Sequence, residues 1–251
     1  MSVYQQICDS KAEGIKQLAI LVDPDKTGNR EAESIARLSE DHGVDFIFVG
    51  GSLLSDGNLP NCIRRIRYAC SKPIVIFPGS ISQVDEQADA ILFLSLISGR
   101  NPDLLIGNHV MAAPLIREKK LEAISTGYML IDSGANTTAL YMSNTNPIPH
   151  NKPSIAACTA MAGEMLGLKM MFLDGGSGAS NPVSEEMIEV VSKSISVPLI
   201  VGGGIRTPEK AQLNCKAGAD LIVIGTSVEK DPSLLGEFAS AVKSAASARQ
   251  R

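Results

Sequence analysis

The sequence predicts a single (β/α)8 barrel, in which eight parallel strands alternate with helices around one core. The chain has 251 residues, close to the length of about 250 residues that this fold typically needs. Short apolar runs alternate with helix-like stretches along the whole chain, and no change in composition marks a second domain. We therefore expect one barrel domain spanning 1–251. A doubly wound open sheet is the structural alternative.

Eight short apolar runs are the candidate strands. Most of them are continuous rather than alternating, which is typical of parallel strands that are covered on both faces. They cover 18–22, 45–49, 73–77, 90–95, 124–131, 170–173, 198–201 and 221–224.

Helix-like stretches follow these runs. They cover 30–42, 60–70, 81–87, 102–118, 154–166, 184–194, 208–217 and 232–248. The start at 208 is well marked, because Thr207 supplies a capping hydroxyl and Pro208 suits the first helical turn. The least regular stretch is 132–153, which is polar and contains three prolines. A loop of this length in a compact domain is expected to cover or shape a site.

Composition and charge restrict the classes of function. Hydrophobic residues make up 44% of the chain and aromatic residues 4%, with no Trp, so we expect an aliphatic core. The net charge of −4 gives no general attraction for nucleic acid or anionic lipid. Five cysteines without a C-x-x-C pair favour buried thiols in a reducing compartment. With no signal-peptide pattern and no run of about 18 apolar residues, the sequence predicts a cytoplasmic protein without a membrane span.

Three glycine-rich turns follow the sixth, seventh and eighth candidate strands. They begin at Asp174, Gly202 and Gly225. Glycine lets backbone N–H groups approach an anion closely, and the start of a following helix adds positive charge. Because phosphate sites after strands seven and eight are common in these barrels, we expect one here. The alternative is that the glycines only make tight turns between strands and helices.

Polar side chains also follow the first two candidate strands. Asp23 and Asp25 come after the first strand, and Ser52 comes after the second. A carboxylate and a hydroxyl at neighbouring strand ends suit a hard cation such as Mg²⁺, which prefers oxygen ligands. Alternatively, the aspartates cap a turn, since Asp-Pro commonly starts one. The three histidines form no spaced pair on one helix, so we expect no histidine metal site.

Several motifs occur in an order that is typical of one known family. They are L-V-D-P-D-K at 21–26, F-V-G-G-S at 48–52, F-P-G-S at 77–80, F-L-D-G-G-S-G-A at 172–179, V-G-G-G-I-R-T-P-E at 201–209 and V-I-G-T at 223–226. Together they resemble the geranylgeranylglyceryl phosphate synthases and their bacterial PcrB-type relatives. G-G-G-I-R alone occurs in many phosphate-binding barrels, whereas its combination with D-P-D-K and G-G-S is specific.

The resemblance implies that a C20 prenyl group passes from its diphosphate to the hydroxyl of sn-glycerol 1-phosphate, with Mg²⁺ required. It implies that Asp23 and Ser52 bind the Mg²⁺. The residues implied to hold glycerol phosphate are Phe172, Leu173, Asp174, Gly175, Gly176, Ser177, Gly178, Gly203, Gly204, Gly225 and Thr226. Asp174 is also the candidate to accept the hydroxyl proton. From the family we expect a dimer or a higher homo-oligomer, with transient membrane contact for product release.

Two positions depart from the family pattern. One branch has Lys where this chain has Leu21, so one phosphate contact is either missing or supplied elsewhere. Many members have Tyr-Leu-Glu where this chain has Phe172-Leu173-Asp174, which alters how the glycerol hydroxyl is activated. The alternatives are the same reaction with another prenyl chain length, such as heptaprenyl, and a phosphosugar isomerase or lyase on the same barrel. A third is a phosphate-binding protein without catalytic activity.

Overall fold

Eight parallel strands form a closed barrel in chain order, and the last strand pairs with the first. The computed structural model describes residues 1–55 and 57–245. The strands are β1 Gln17–Val22, β2 Phe46–Val49, β3 Ile74–Ile76, β4 Ala90–Leu96, β5 Glu122–Leu130, β6 Met170–Asp174, β7 Leu199–Gly202 and β8 Leu221–Ile224. The predicted barrel is confirmed, and the open-sheet alternative is wrong.

Each strand contributes to two apolar layers, because successive side chains point to opposite faces. In β2, Phe46 and Phe48 fill the barrel interior, whereas Ile47 and Val49 face the surrounding helices. All four side chains are fully buried. This double burial explains why the strands are continuous apolar runs in the sequence.

The helices that surround the barrel match most of the predicted stretches. They are α1 Val3–Ala12, α2 Asn29–Asp41, α3 Leu59–Ala69, α4 Asn108–Glu118, α5 Thr138–Ser143, α6 Pro153–Met165, α7 Glu185–Ser194, α8 Pro208–Ala217, α9 Thr226–Lys230 and α10 Leu235–Ser244. A π-helical turn, Asp103–Gly107, precedes α4, and a 3₁₀ turn, Pro232–Leu234, precedes α10. The last part of the predicted stretch 232–248 lies outside the described residues. No helix among the described residues is long and apolar enough to cross a bilayer.

The predicted helix at 81–87 is wrong, since this stretch forms turns. Side-chain hydrogen bonds to nearby backbone replace the helical ones. Gln83 donates to the carbonyl of Gly51 and accepts from the N–H of Gly79, while the Asp85 carboxylate accepts from the N–H of Gln87. β3 and β4 are therefore joined by turns alone.

The short helix α1 was not predicted, and it closes the N-terminal end of the barrel. Ser2 caps it by accepting from the N–H of Gln5. The first two N–H groups, of Val3 and Tyr4, donate to the carboxylate of Glu122 at the start of β5. The side chains of Val3 and Ile7 pack into the barrel core. The opposite, C-terminal end of the barrel is therefore the one left for a site.

The long stretch 132–153 folds over that C-terminal end. It contains α5, whose cap Thr137 accepts from the N–H of Leu140. An isolated bridge between Ile131 and Ile148 ties the end of the stretch back to the barrel. Of the cysteines, Cys62, Cys70 and Cys215 are buried as expected, whereas Cys158 is exposed on α6.

Candidate functional site

A cavity of about 990 Å³ opens at the C-terminal ends of the strands. Its polar end is formed by the loops that follow β1, β2, β6, β7 and β8. Its apolar end lies between the outer face of β4 and the helix α4, where it is lined by Ile91, Phe93, Leu104, Ala112 and Ile116. One cavity thus combines a long apolar pocket with a polar, glycine-rich mouth, as an amphiphilic ligand requires.

Most of the predicted site residues come together at the polar end. Those that line the cavity are Asp23, Ser52, Phe172, Asp174, Gly176, Ser177, Gly178, Gly203, Gly204, Gly225 and Thr226. Leu173 does not line the cavity, because its side chain is fully buried in the layer between strands and helices. Gly175 lies outside the lining as well, and its N–H donates to the carbonyl of Gly202 at 3.1 Å.

The loops after β6 and β7 touch each other, and only glycine fits at their contact. Gly203 has a φ of +80°, a conformation that other residues rarely adopt. A Cβ atom at this position would lie 2.5 Å from the nitrogen of Gly175 and 2.6 Å from Oδ1 of Asp174. Gly204, at a φ of +70°, is crowded by Pro182. Gly203 therefore lets the β7 loop lie directly against Asp174, and Gly204 lets it pass close to Pro182.

Asp174 ends β6 and is held by hydrogen bonds to both oxygens. Its Oδ1 atom accepts from the N–H of Gly176 at 2.8 Å, and its Oδ2 atom accepts from the phenol of Tyr128 at 2.5 Å. Burial raises the pKa of Asp174, and the two hydrogen bonds partly offset that rise. A buried carboxylate of this kind is a stronger proton acceptor than one in water.

Tyr128 is the site residue that reasoning from the sequence missed. Burial and then the charge of Asp174 raise its pKa well above the usual range, so the phenol stays protonated and donates. Its ring packs edge-on against Phe172 and Phe77, at centroid distances of 5.5 and 5.9 Å. The only sequence signal was the T-G-Y segment at 126–128, whose role depends on a long-range contact.

Asp23 lies at the opposite side of the polar end, where it is 9% exposed. Its Oδ1 atom accepts from the N–H of Asp25 at 3.1 Å, and its Oδ2 atom pairs with the ammonium of Lys26 at 2.6 Å. A Cβ atom added at Gly51 would lie 3.1 Å from Oδ1 of Asp23, so the carboxylate lies against the β2 loop that carries Ser52. The carboxylate of Asp25 instead accepts from the backbone of Ser55.

The donor set around Asp23 fits a hard cation that brings most of its own ligands. Among the described residues, no group of three or more His, Cys, Asp or Glu is arranged to hold a metal ion. One carboxylate and one hydroxyl, from Asp23 and Ser52, leave most of a coordination shell to other oxygens. Mg²⁺ commonly binds in this way, through one or two protein carboxylates, waters and substrate phosphates.

His109 borders the apolar end of the cavity. Its Nε2 atom lies 3.1 Å from the hydroxyl of Ser95, and its ring packs edge-on against Phe93 at 4.5 Å. Burial lowers its pKa, so the ring is neutral near pH 7. These contacts are those of a packing residue in the cavity wall.

The chain is similar to one protein family over nearly its whole length. A profile described as the PcrB family matches residues 12–244. A Chitinophaga pinensis protein named geranylgeranylglyceryl phosphate synthase is 54% identical over 97% of both chains. A Thermococcus gammatolerans protein of the same name is 44% identical over 86% of this chain and 85% of its own length.

Solved structures extend the comparison. The (S)-3-O-geranylgeranylglyceryl phosphate synthase of Thermoplasma acidophilum, solved with its substrate sn-glycerol-1-phosphate, superposes with a TM-score of 0.91. It is 32% identical and covers 97% of this chain and 99% of its own. The tryptophan synthase α subunit of Legionella pneumophila, at 14% identity and a TM-score of 0.62, shares the fold alone. The family profile and these close relatives establish that the chain belongs to the PcrB family.

Proposed function

We propose that this protein joins geranylgeranyl diphosphate to sn-glycerol 1-phosphate, forming an ether bond and releasing diphosphate. The observation that carries the proposal is the single cavity that has an apolar pocket at one end and glycine loops beside a buried carboxylate at the other. Relatives at 54% and 52% identity bear the name of this activity. Neither a phosphosugar isomerase nor a lyase would need the apolar end.

Glycerol phosphate is proposed to bind at the glycine loops. Backbone at Gly203, Gly204, Gly225 and Thr226 lines the polar end and would approach the phosphate group closely. The N–H of Gly176 already donates to Asp174, so the β6 loop contributes mainly through Ser177 and Gly178. Holding the acceptor in this way removes much of the entropy cost of a bimolecular encounter.

Asp174 is proposed to accept the proton of the glycerol hydroxyl. As the oxygen bonds to the first carbon of the prenyl group, the C–O bond to diphosphate breaks and its electron pair leaves with the diphosphate. The hydroxyl proton passes to the carboxylate, whose Oδ2 atom Tyr128 holds in place. The shorter side chain of aspartate, compared with the glutamate common in the family, is thus fixed from two sides.

Asp23 and Ser52 are proposed to bind Mg²⁺ together with the prenyl diphosphate. Bound there, the cation would offset the negative charge that develops on the departing diphosphate. The hard oxygen donors and the position of Asp23 at the mouth of the cavity support this proposal. The prenyl chain would then extend toward the apolar end between β4 and α4.

We also propose a cytoplasmic homo-oligomer that contacts membranes transiently. Large exposed apolar residues support the contact between copies and the contact with membranes, since apolar surface commonly marks an interface. Met165 and Leu166 at the end of α6 are exposed and would serve association between copies. Val110 and Met111 on α4 are exposed beside the apolar end of the cavity and would touch the bilayer. Light scattering and vesicle flotation test the two contacts separately.

Product analysis tests the proposed reaction. The protein is incubated with glycerol 1-phosphate and each of a series of prenyl diphosphates from C10 to C35, with Mg²⁺ or with excess chelator. We expect an ether product with the C20 substrate that disappears with chelator. A preference for C35 would replace the geranylgeranyl assignment by heptaprenyl, and no ether product from any chain length would refute a prenyltransferase.

A further inference from the structure

The proposed reaction brings two anions into a cavity whose lining is itself acidic. Among the described residues that line it, six carry carboxylates, and three carry a lysine ammonium or an arginine guanidinium. The carboxylates are those of Asp23, Asp25, Asp103, Asp174, Glu229 and Asp231. Since the chain has a net charge of −4, its overall field offers no compensation. Binding a phosphate here therefore calls for a cation next to the glycine loops.

Two of the three cations are poorly suited to this task. Arg206 donates to the carbonyl of Ala179 at 2.7 Å and to that of Ser180 at 3.1 Å, so its guanidinium holds the loop after β6. Lys230 is the last residue of α9, at the opposite end of that helix from Gly225 and Thr226. The third cation is Lys26.

Lys26 reaches across the mouth of the cavity from the β1 loop to the β6 loop. Its ammonium lies 2.6 Å from Oδ2 of Asp23 and donates to the hydroxyl of Ser177 at 3.3 Å. Its side chain is 52% exposed, which leaves the ammonium accessible to a ligand. Lys26 also offsets the rise in the pKa of Glu229 that burial causes. The ammonium of Lys26 therefore contacts both Asp23, in the loop after β1, and Ser177, in the glycine loop after β6.

Leu21, on β1, lies next to one of the glycine loops at the polar end of the cavity. A Cβ atom added at Gly225 would lie 3.5 Å from Cβ of Leu21, so position 21 borders the β8 loop. Its apolar side chain gives a phosphate no charge. The positive charge that a phosphate requires must therefore come from another residue on the same side of the barrel.

We propose that Lys26 binds the phosphate group of glycerol phosphate and so supplies the contact that Leu21 does not. The identity of the anion rests on the proposed function. Ser177, already within 3.3 Å of the ammonium, stands in the loop proposed to hold this phosphate. Lys26 is a substrate-binding residue in this assignment, and its charge contributes to affinity.

The ion pair with Asp23 links this contact to the cation site. A metal ion on Asp23 competes with Lys26 for the same carboxylate, which leaves the ammonium to the phosphate. Mg²⁺ and glycerol phosphate should therefore bind cooperatively, and by linkage each should tighten the other. In a variant without the ammonium, this cooperativity should shrink.

Calorimetric titration with glycerol 1-phosphate, without prenyl diphosphate, tests the proposal. We compare the wild-type protein with Lys26→Met, Lys26→Arg and the matched control Lys230→Met, each with and without Mg²⁺. Lys26→Met should weaken binding by about tenfold or more, since hydrogen bonds to charged groups are the stronger ones. Lys26→Arg should retain most of the affinity, and Lys230→Met should change it by less than about twofold.

A fourth variant tests the relation between positions 21 and 26. Leu21→Lys in the Lys26→Met background should regain most of the lost affinity, and no recovery would overturn the claim that the two positions serve one contact. Affinity of Lys26→Met within about twofold of wild type would overturn the proposal, as would an equal loss in Lys230→Met. The Lys26 and Lys230 variants should fold, because both ammonium groups lie at the exposed surface of the mouth. Thermal melting of each variant, Leu21→Lys included, confirms that the folded protein is titrated.

This experiment is independent of catalysis. If the wild-type protein gives no ether product but binds glycerol phosphate in a Lys26-dependent way, the proposed reaction fails and the binding assignment stands. If the product forms but Lys26→Met binds like wild type, the reaction stands and the role of Lys26 fails.

Discussion

The phenol of Tyr128 and the carboxylate of Asp174 form a hydrogen bond of 2.5 Å across neighbouring strands. The register of β5 and β6 pairs Tyr128 with Phe172, so Asp174, two residues further, points to the same face. The phenol thus meets the carboxylate from inside the barrel, while the N–H of Gly176 meets it from the loop. This arrangement fixes the orientation of the proposed base.

Removal of the Tyr128 hydroxyl should shift the pH dependence of the reaction. The hydrogen bond from Tyr128 lowers the pKa of Asp174, so Tyr128→Phe should raise that pKa further above its usual value. Asp174 must be ionised to accept a proton. As pH falls, the variant should therefore lose activity at a higher pH than the wild type, with kcat affected more than KM.

The matched control is Tyr4→Phe, at the other end of the barrel. It removes the same hydroxyl group from a residue outside the cavity lining. The measurement is the pH at which each protein loses activity on the acidic side of its profile. If Tyr128→Phe loses activity at the same pH as Tyr4→Phe and the wild type, the phenol does not affect the pKa of the base.

Asp174→Asn tests proton acceptance directly. The amide keeps the size of the side chain but cannot take a proton, so kcat should fall by at least about 10²-fold. Asp174→Glu restores the residue common in the family and should remain active. A fall in kcat of less than about fivefold for Asp174→Asn would rule out this role and leave water or diphosphate as the base.

The same residue should also influence stability. Burial raises the pKa of Asp174, so its ionised form is disfavoured in the folded state relative to the unfolded chain. The wild-type protein should therefore be more stable below that pKa and lose stability as pH rises through it. Asp174→Asn should show less of this pH dependence, which thermal melting at a series of pH values measures. The same dependence of Tm on pH in Asp174→Asn and in the wild type would contradict this role of Asp174.

The sequence contains most of what determines the barrel but little of how its loops meet. Continuous apolar runs such as β2 identify strands buried on both faces, and the glycines mark the turns that follow them. The partner of Asp174 could not be found in this way, because Tyr128 lies 46 residues earlier and meets it only through strand register. The same holds for Lys26 and Ser177, which are 151 residues apart.

The wrong helix at 81–87 has a related cause. Its apolar spacing favours a helix, but Gln83 bonds instead to the backbone of Gly51 and Gly79 in neighbouring loops. These partners come from tertiary structure, which local propensity does not contain.

Asp23→Asn should abolish the dependence of turnover on Mg²⁺. The amide can still accept from the N–H of Asp25, so the loop should keep its conformation. Loss of the charge should cut turnover severely, whereas Ser52→Ala should be milder, because water replaces a neutral ligand. The measurement is the rate as a function of Mg²⁺ concentration. Near-normal turnover by folded Asp23→Asn would refute the assignment.

Gly203→Ala should raise the KM for glycerol phosphate. Gly203 and Gly167 both have positive φ, at +80° and +86°, so alanine strains the backbone at either position. At Gly167 the added Cβ meets nothing within 4 Å, whereas at Gly203 it comes within 2.5 Å of the nitrogen of Gly175 and 2.6 Å of Asp174. Gly167→Ala is thus the control for strain alone. We expect both variants to lose about 1 kcal/mol of stability or more, but only Gly203→Ala to bind glycerol phosphate more weakly. Equal KM values in the two variants would mean that the contact between the β6 and β7 loops does not shape the phosphate site.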